Sequence, residues 1–237
     1  MLGHSHALSG LAVGAASLPW APVDGTVAQV AWVAAVGGFA MLPDLDSHGS
    51  TVSDMWGPLT DVPSGAIGRL AQGHRWGTHD ALIAPLAFGA LAMVAAKAYW
   101  SSLLLMALAI GLALRALHFI IPGRTENTVV GNLVLSWTGA WFLLAHTPQP
   151  MWLPWAVGLG CLVHIAGDMI TRQGVPVPLV WLLHRCRLVL TPMHTGAFLE
   201  KAVLAPAFVV AALWFLYANT AVRETVDPLV TDLLARV

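Results

Sequence analysis

"AMLPDLDSHGS", residues 40–50, closes an apolar run from Val27 to Met41 that only Gln29 interrupts. A membrane-length segment therefore stops on two aspartates spaced one residue apart. Pro43 before them and Ser47 and Gly49 after them are turn residues, so local chemistry alone makes Asp44 and Asp46 capping side chains of a turn. Whether they are more than that depends on what else the chain brings to the same end of a membrane bundle.

Of the 237 residues, 57% are apolar and only 10% are charged. The mean hydropathy is positive, and the balance is that of a membrane protein rather than a soluble domain. A formal net charge of -1 excludes a broad basic field, and no nucleic-acid partner is expected. Cys161 and Cys186 are too few and too separated for a disulfide framework or a metal knuckle, and Cys161 lies in an apolar run where a buried thiol is ordinary. No Lys or Arg precedes the first apolar run, so it lacks the charged start of a secretory signal and is expected to stay in the mature protein.

A bilayer-crossing helix needs about 20 largely apolar residues. Apolar runs carrying at most one charged residue occur at Ala7 to Pro22, Val27 to Leu42, Ala81 to Ala96, Ser102 to Ile121, Val129 to His146, Trp152 to Ile170 and Ala202 to Ala218. These predict an all-α, polytopic membrane helix bundle of about six to seven helices, forming a single domain over residues 1–237 without repeat or linker. The stretches Pro58 to Gly65 and Gly174 to Pro178 read as loops. With every run crossing, Arg69, Arg75, Arg115, Arg124, Arg172, Arg185, Arg187 and Lys201 share one side. Lys97, Arg223 and Arg236 lie on the other, so the long loops are expected in the cytoplasm.

Two further clusters carry ionisable side chains. In "GHRWGTHDA", residues 73–81, His74, Arg75, His79 and Asp80 stand just before the third run; Thr78 there is a natural helix cap, and such a cluster can equally be interfacial polar residues. In "LVHIAGDMIT", His164 and Asp168 are four residues apart inside an apolar segment. Helical geometry puts them on one face, and a pair that is costly beside lipid should face protein, water or metal. His6 opens the first run and Glu200 immediately precedes the last.

Topology adds what the motifs lack singly. Odd runs begin, and even runs end, on one face of the bundle, which collects His6, Asp44, Asp46, His74, His79, His164, Asp168 and Glu200 at the cytoplasmic helix ends as candidate metal ligands. Carboxylates and imidazoles without thiolates suit a divalent transition metal, zinc first, with manganese or iron as alternatives, in one to three ions. A two-metal centre bridged by Asp44 or Asp46 would clamp the oxygens of a phosphoester undergoing displacement. Asp46, Arg75 and Asp80 are the candidate catalytic residues, with Arg75 placed to neutralise a phosphate oxygen. His4, His48, His118, His184 and His194 receive no role.

The ordered set "HALSG", "LPDLDSHGS", "GHRWGTHDALIA" and "GCLVHIAGDMITRQGVPV" resembles the LexA-regulated, YdjM-like family of bacterial inner-membrane metal-dependent hydrolases. The resemblance implies His6, Asp44, Asp46, His74, His79, His164 and Asp168 as the metal set, with Arg75 beside them. Two positions depart from the family pattern: Asp80 replaces a usual Ser, and "RWGTH" replaces Arg-Gly-Phe-Thr-His. By motif type the chain is also similar to the trinuclear zinc phospholipase C and nuclease group, which makes a phosphodiester the first expected substrate. The expected function is membrane-bound hydrolysis of a phosphoester of a lipid or membrane-associated molecule, with the bilayer as partner and the bacterial inner membrane as location. A metal transporter or sensor without hydrolysis is the alternative, disfavoured because the ligands cluster at helix ends and no repeat is visible. A noncatalytic membrane partner is the third reading.

Overall fold

Gly10, Gly14 and Gly37 recur along the first two apolar runs, and there two helices meet almost backbone to backbone. In the computed structural model, which describes residues 1–122, 125–147, 150–191, 193–219, 223 and 227, these are α1 (Gly3–Ala16) and α2 (Thr26–Phe39). A Cβ on Gly37 would fall 2.5 Å from Leu11 Cδ2, and one on Gly10 would fall 2.7 Å from Ala40 Cβ. Lipid offers no hydrophobic drive for helix association, so close approach through small residues has to supply the attraction. The same device joins α2 to α5 (Tyr99–Ala116) and α7 (Leu153–Met169). A Cβ on Gly38 would sit 1.9 Å from the Ala109 carbonyl oxygen, and one on Gly160 would meet the Phe39 backbone at 2.7 Å. Helix α2 is thus the centre of the bundle, with Trp32, Val36 and Phe39 buried against Met106, Leu112 and Leu153.

The remaining helices are α3 (Pro58–Leu70), α4 (Ile83–Ala95), α6 (Thr125–Ala145) and α8 (Ala205–Asn219), the last preceded by a π-helical turn, Glu200–Leu204. Five stretches among the described residues are long and apolar enough to cross a membrane: Thr26–Asp46, Tyr99–Ala116, Thr125–Ala145, Pro150–Met169 and Glu200–Asn219. The all-α polytopic architecture is as the sequence predicts. Helices α1 and α4, at 14 and 13 residues, fall short of a full crossing. Helix α1 packs against α2, α7 and α8, so protein rather than lipid covers much of it. Trp100, Trp141, Trp155 and Trp214 point outward, as a lipid-facing belt requires. Arg124 and Arg236, counted in the charge asymmetry, lie outside the described residues.

Two expected loops are more ordered than the sequence suggests. Residues Pro58 to Gly65 belong to α3: Pro58 takes the first helical position, where a missing N–H costs nothing. Pro63 sits on the exposed side of the same helix. Gly68 brings α3 against the Pro43–Asp46 turn, since a Cβ there would lie 2.5 Å from the Asp46 carbonyl oxygen. Likewise Gly174 to Pro178 contains β1 (Val175–Pro176), which pairs antiparallel with β2 (Arg187–Leu188) in a short ribbon.

Candidate metal centre

Asp44 and Asp46 lie on a 3-10 turn after α2 that opens with Pro43. That turn, the Gly77–His79 turn before α4 and the last two turns of α7 meet at one end of the bundle. His6 joins them from the first turns of α1. Asp44, Asp46, His79, His164, Asp168 and His6, six ionisable side chains from four separate chain segments, are therefore neighbours.

Around Asp168, His6 Nε2 lies 3.2 Å from Oδ1, while His79 Nε2 and His164 Nε2 each lie 3.6 Å from Oδ2. Asp44 Oδ1 is 3.5 Å from His79 Nε2 and 3.6 Å from His164 Nε2. The two Nε2 atoms are 3.1 Å apart. His74 Nδ1 stands 2.6 Å from Asp46 Oδ1, and Thr78 donates its hydroxyl to Asp46 Oδ2. The amino group of Met1 also donates to Asp168. Two groups of three can each hold a metal ion: His6, His164 and Asp168, all buried, and Asp44, His74 and His79, of which His74 is exposed.

The surrounding contacts orient these ligands. The His164 Nδ1 lies 2.7 Å from the Ala40 carbonyl oxygen, which can only accept; the proton sits on Nδ1 and the Nε2 lone pair faces the cluster. The His6 ring stacks on His164 at 3.8 Å between centroids. Its Nδ1 is buried without a hydrogen-bond partner among the described residues. Gly167 leaves room for this ring, because a Cβ there would come within 3.1 Å of His6 Nδ1. For His79, burial opposes a positive charge, but contacts with Asp44 and Asp46 outweigh it and raise the imidazole pKa to about 9. The pocket thus attracts positive charge in spite of its burial.

Arg75 links Asp46 to Asp168. Its φ of +65° is left-handed, uncommon for a residue with a side chain. Its backbone N–H donates to Asp46 Oδ2 at 3.2 Å, and its Nη1 lies 3.0 Å from Asp168 Oδ2.

Two other candidates sit at its edge with different partners. Asp80 accepts from the Leu82 and Ile83 backbone N–H groups through Oδ1, and from the Leu179 N–H and Trp181 Nε1 through Oδ2. Although burial works the other way, these donors hold its carboxyl below the ordinary range. Glu200 accepts from the Leu2 and Gly196 backbone N–H groups. Neither belongs to the two ligand groups.

Among the unassigned histidines, His48 contacts Asp61, His194 contacts Arg172, and His4 and His118 lie ring to ring at 5.5 Å. The sequence reading missed the Ala40 carbonyl and the role of Thr78 on Asp46. A backbone acceptor leaves no signature in side-chain identity, whereas "THD" could have suggested the hydroxyl.

A helical bundle with several membrane-length spans and, at one end, two His/Asp groups that could hold metal ions defines a polytopic membrane protein. The chain belongs to the YdjM inner membrane protein family, whose model matches residues 1–121. That match contains His6, Asp44, Asp46, His74, Arg75 and His79, and ends before His164 and Asp168. No match was found among curated proteins or among solved structures.

Proposed function

We propose that this inner-membrane protein is a metal-dependent hydrolase of phosphoesters carried by lipids or other membrane-associated molecules. The carrying observation is the spacing of Asp44 Oδ1, His79 Nε2, His164 Nε2 and Asp168 Oδ2, whose measured separations run from 3.1 to 3.6 Å. Ligands about 2.0–2.2 Å from a tetrahedral zinc are about 3.3–3.6 Å from one another. Two imidazole nitrogens, at least one presenting a lone pair, also repel at 3.1 Å unless a cation or proton lies between them. These four residues would hold the first ion. His6 beside Asp168 supplies a donor for a further ion.

A bound divalent ion lowers the pKa of water and polarises a phosphoryl oxygen. The protein's own groups then divide the remaining work. Arg75 offers its guanidinium to a non-bridging phosphate oxygen, stabilising the charge that builds there. Asp46 holds the partly exposed His74 ring through Nδ1, and this pair accepts the proton from the attacking water. Asp80 and Glu200 position the surrounding backbone. The concentration of arginine on the long loops supports a cytoplasmic active face.

Elemental analysis of purified protein, together with turnover of phosphodiester and phospholipid substrates, tests this reading. Transition metal and metal-dependent turnover are expected. Full activity with unchanged metal content in Asp46→Ala, His79→Ala and His164→Ala would overturn it.

A further inference from the structure

Beside the cluster, the sequence "HRCRL", residues 184–188, returns two arginines to the residue that follows Arg75. The Arg185 guanidinium carbon lies 4.8 Å from the Trp76 ring centroid, and that of Arg187 lies 4.6 Å from it. Trp76 is itself fixed: its ring approaches Trp181 at 5.6 Å, and Trp181 donates to the buried Asp80. Two guanidinium groups thus share one anchored indole, an arrangement that restrains long cationic side chains without neutralising them.

Among the described residues neither Arg185 nor Arg187 has an ion-pair partner. Arg187 gives one hydrogen bond, from Nη1 to the Gln173 carbonyl oxygen at 3.1 Å. Arg75 is only 7% exposed, yet its Nε has no hydrogen-bond partner among the described residues. Burial and the like charge of Arg75 both weigh against protonation of Arg187, with Asp168 partly offsetting them. The same segment exposes Val180, Leu182, Leu183, Val189 and Leu190, a mixture of apolar and arginine side chains suited to the bilayer interface.

We propose that Arg185 and Arg187, carried on Trp76, form with Arg75 a phosphate-binding subsite at the membrane interface beside the His/Asp cluster. Planar guanidinium forks match the oxygens of a phosphate group better than point charges do. The subsite deepens the hydrolase reading and rests on it for its purpose: it would hold the phosphate of the substrate next to the ions. Its ligand is a phosphate-bearing anion, either a lipid headgroup or a soluble phosphoester.

The experiment uses the full chain stripped of metal with a chelator, so that binding is read without hydrolysis. Inorganic phosphate is titrated into protein in an uncharged detergent, and phosphatidylglycerol is compared with phosphatidylcholine in lipid nanodiscs. At least a tenfold loss of affinity is expected in Arg185→Gln/Arg187→Gln, with wild-type affinity kept in Arg69→Gln on exposed α3. Arg185→Gln alone, which removes no hydrogen bond seen among the described residues, should weaken binding at least threefold if the double variant folds poorly. A response to phosphatidylglycerol alone assigns the subsite to a lipid headgroup, and a response to inorganic phosphate alone assigns it to a soluble ligand. Equal binding by wild type and variants, or no binding of either probe by wild type, overturns the subsite. Metal content measured before stripping separates the two ideas: phosphate binding in a protein purified without metal would leave the subsite standing and remove the hydrolase reading.

Discussion

His79 and His164 face each other through their Nε2 atoms at 3.1 Å, although 85 residues separate them in the chain. The Ala40 carbonyl fixes the proton of His164 on the far side of its ring, so the near side presents a lone pair that a metal ion, or a proton carried by His79, can fill. Removing bound metal should therefore destabilise the protein. Chelation is expected to lower the thermal unfolding midpoint in detergent, and added zinc to restore it. An ion present at a hundredfold over its dissociation constant contributes about 2.7 kcal/mol. An unchanged midpoint in protein that demonstrably lost its metal would contradict this.

His164→Ala removes a proposed ligand from the cluster and leaves a small cavity at the end of α7. Metal content should fall by at least one equivalent and hydrolysis by about a hundredfold or more. Elemental analysis and turnover, measured on the same preparation, check both.

Arg75→Lys keeps the charge but loses the fork that reaches Asp168. Turnover should fall about 10- to 100-fold with metal content unchanged, because a lysine ammonium is a poorer match to planar oxygen pairs. Metal loss instead would make Arg75 a scaffold of the ligands.

Asp80→Ala distinguishes a positioning role from a catalytic one. Four hydrogen bonds to a buried carboxylate are lost, at a cost of about 2–3 kcal/mol, and residues 171–191 should become more sensitive to protease. Turnover at saturating metal should stay within about tenfold of wild type; a loss of a thousandfold would restore Asp80 to the chemistry. Because its folded pKa lies below the ordinary 3.8, Asp80 contributes stability that is fully present above that value. This contribution disappears as pH falls through the lower folded value, and Asp80→Asn should remove that acid dependence.

Two glycine substitutions separate packing from propensity. Gly38→Ala drives a methyl into the Ala109 carbonyl and should cost about 1–3 kcal/mol or more. Gly158→Ala, whose Cβ would meet nothing within 4 Å, should be neutral or stabilise by up to about 1 kcal/mol through helix propensity. Thermal unfolding of both in detergent makes the comparison.

The sequence by itself determined that the chain is helical and membrane-bound, because long apolar runs can satisfy their backbone in lipid only as helices. It also determined which end of the bundle collects the histidines and aspartates, since alternating crossings sort polar residues by side. Helix α3 escaped notice: its prolines and glycines are turn residues by local preference, and only contact with the Asp46 turn gives Gly68 its use. Tertiary structure alone decided that Asp80 and Glu200, which the sequence left as candidates beside Asp44 and Asp168, spend their oxygens on backbone N–H groups and, for Asp80, the Trp181 indole. It likewise decided that Arg185 and Arg187 come to rest on Trp76. A carboxylate or a guanidinium is defined by what lies within a few ångströms of it, and residues about a hundred positions away supply that neighbourhood.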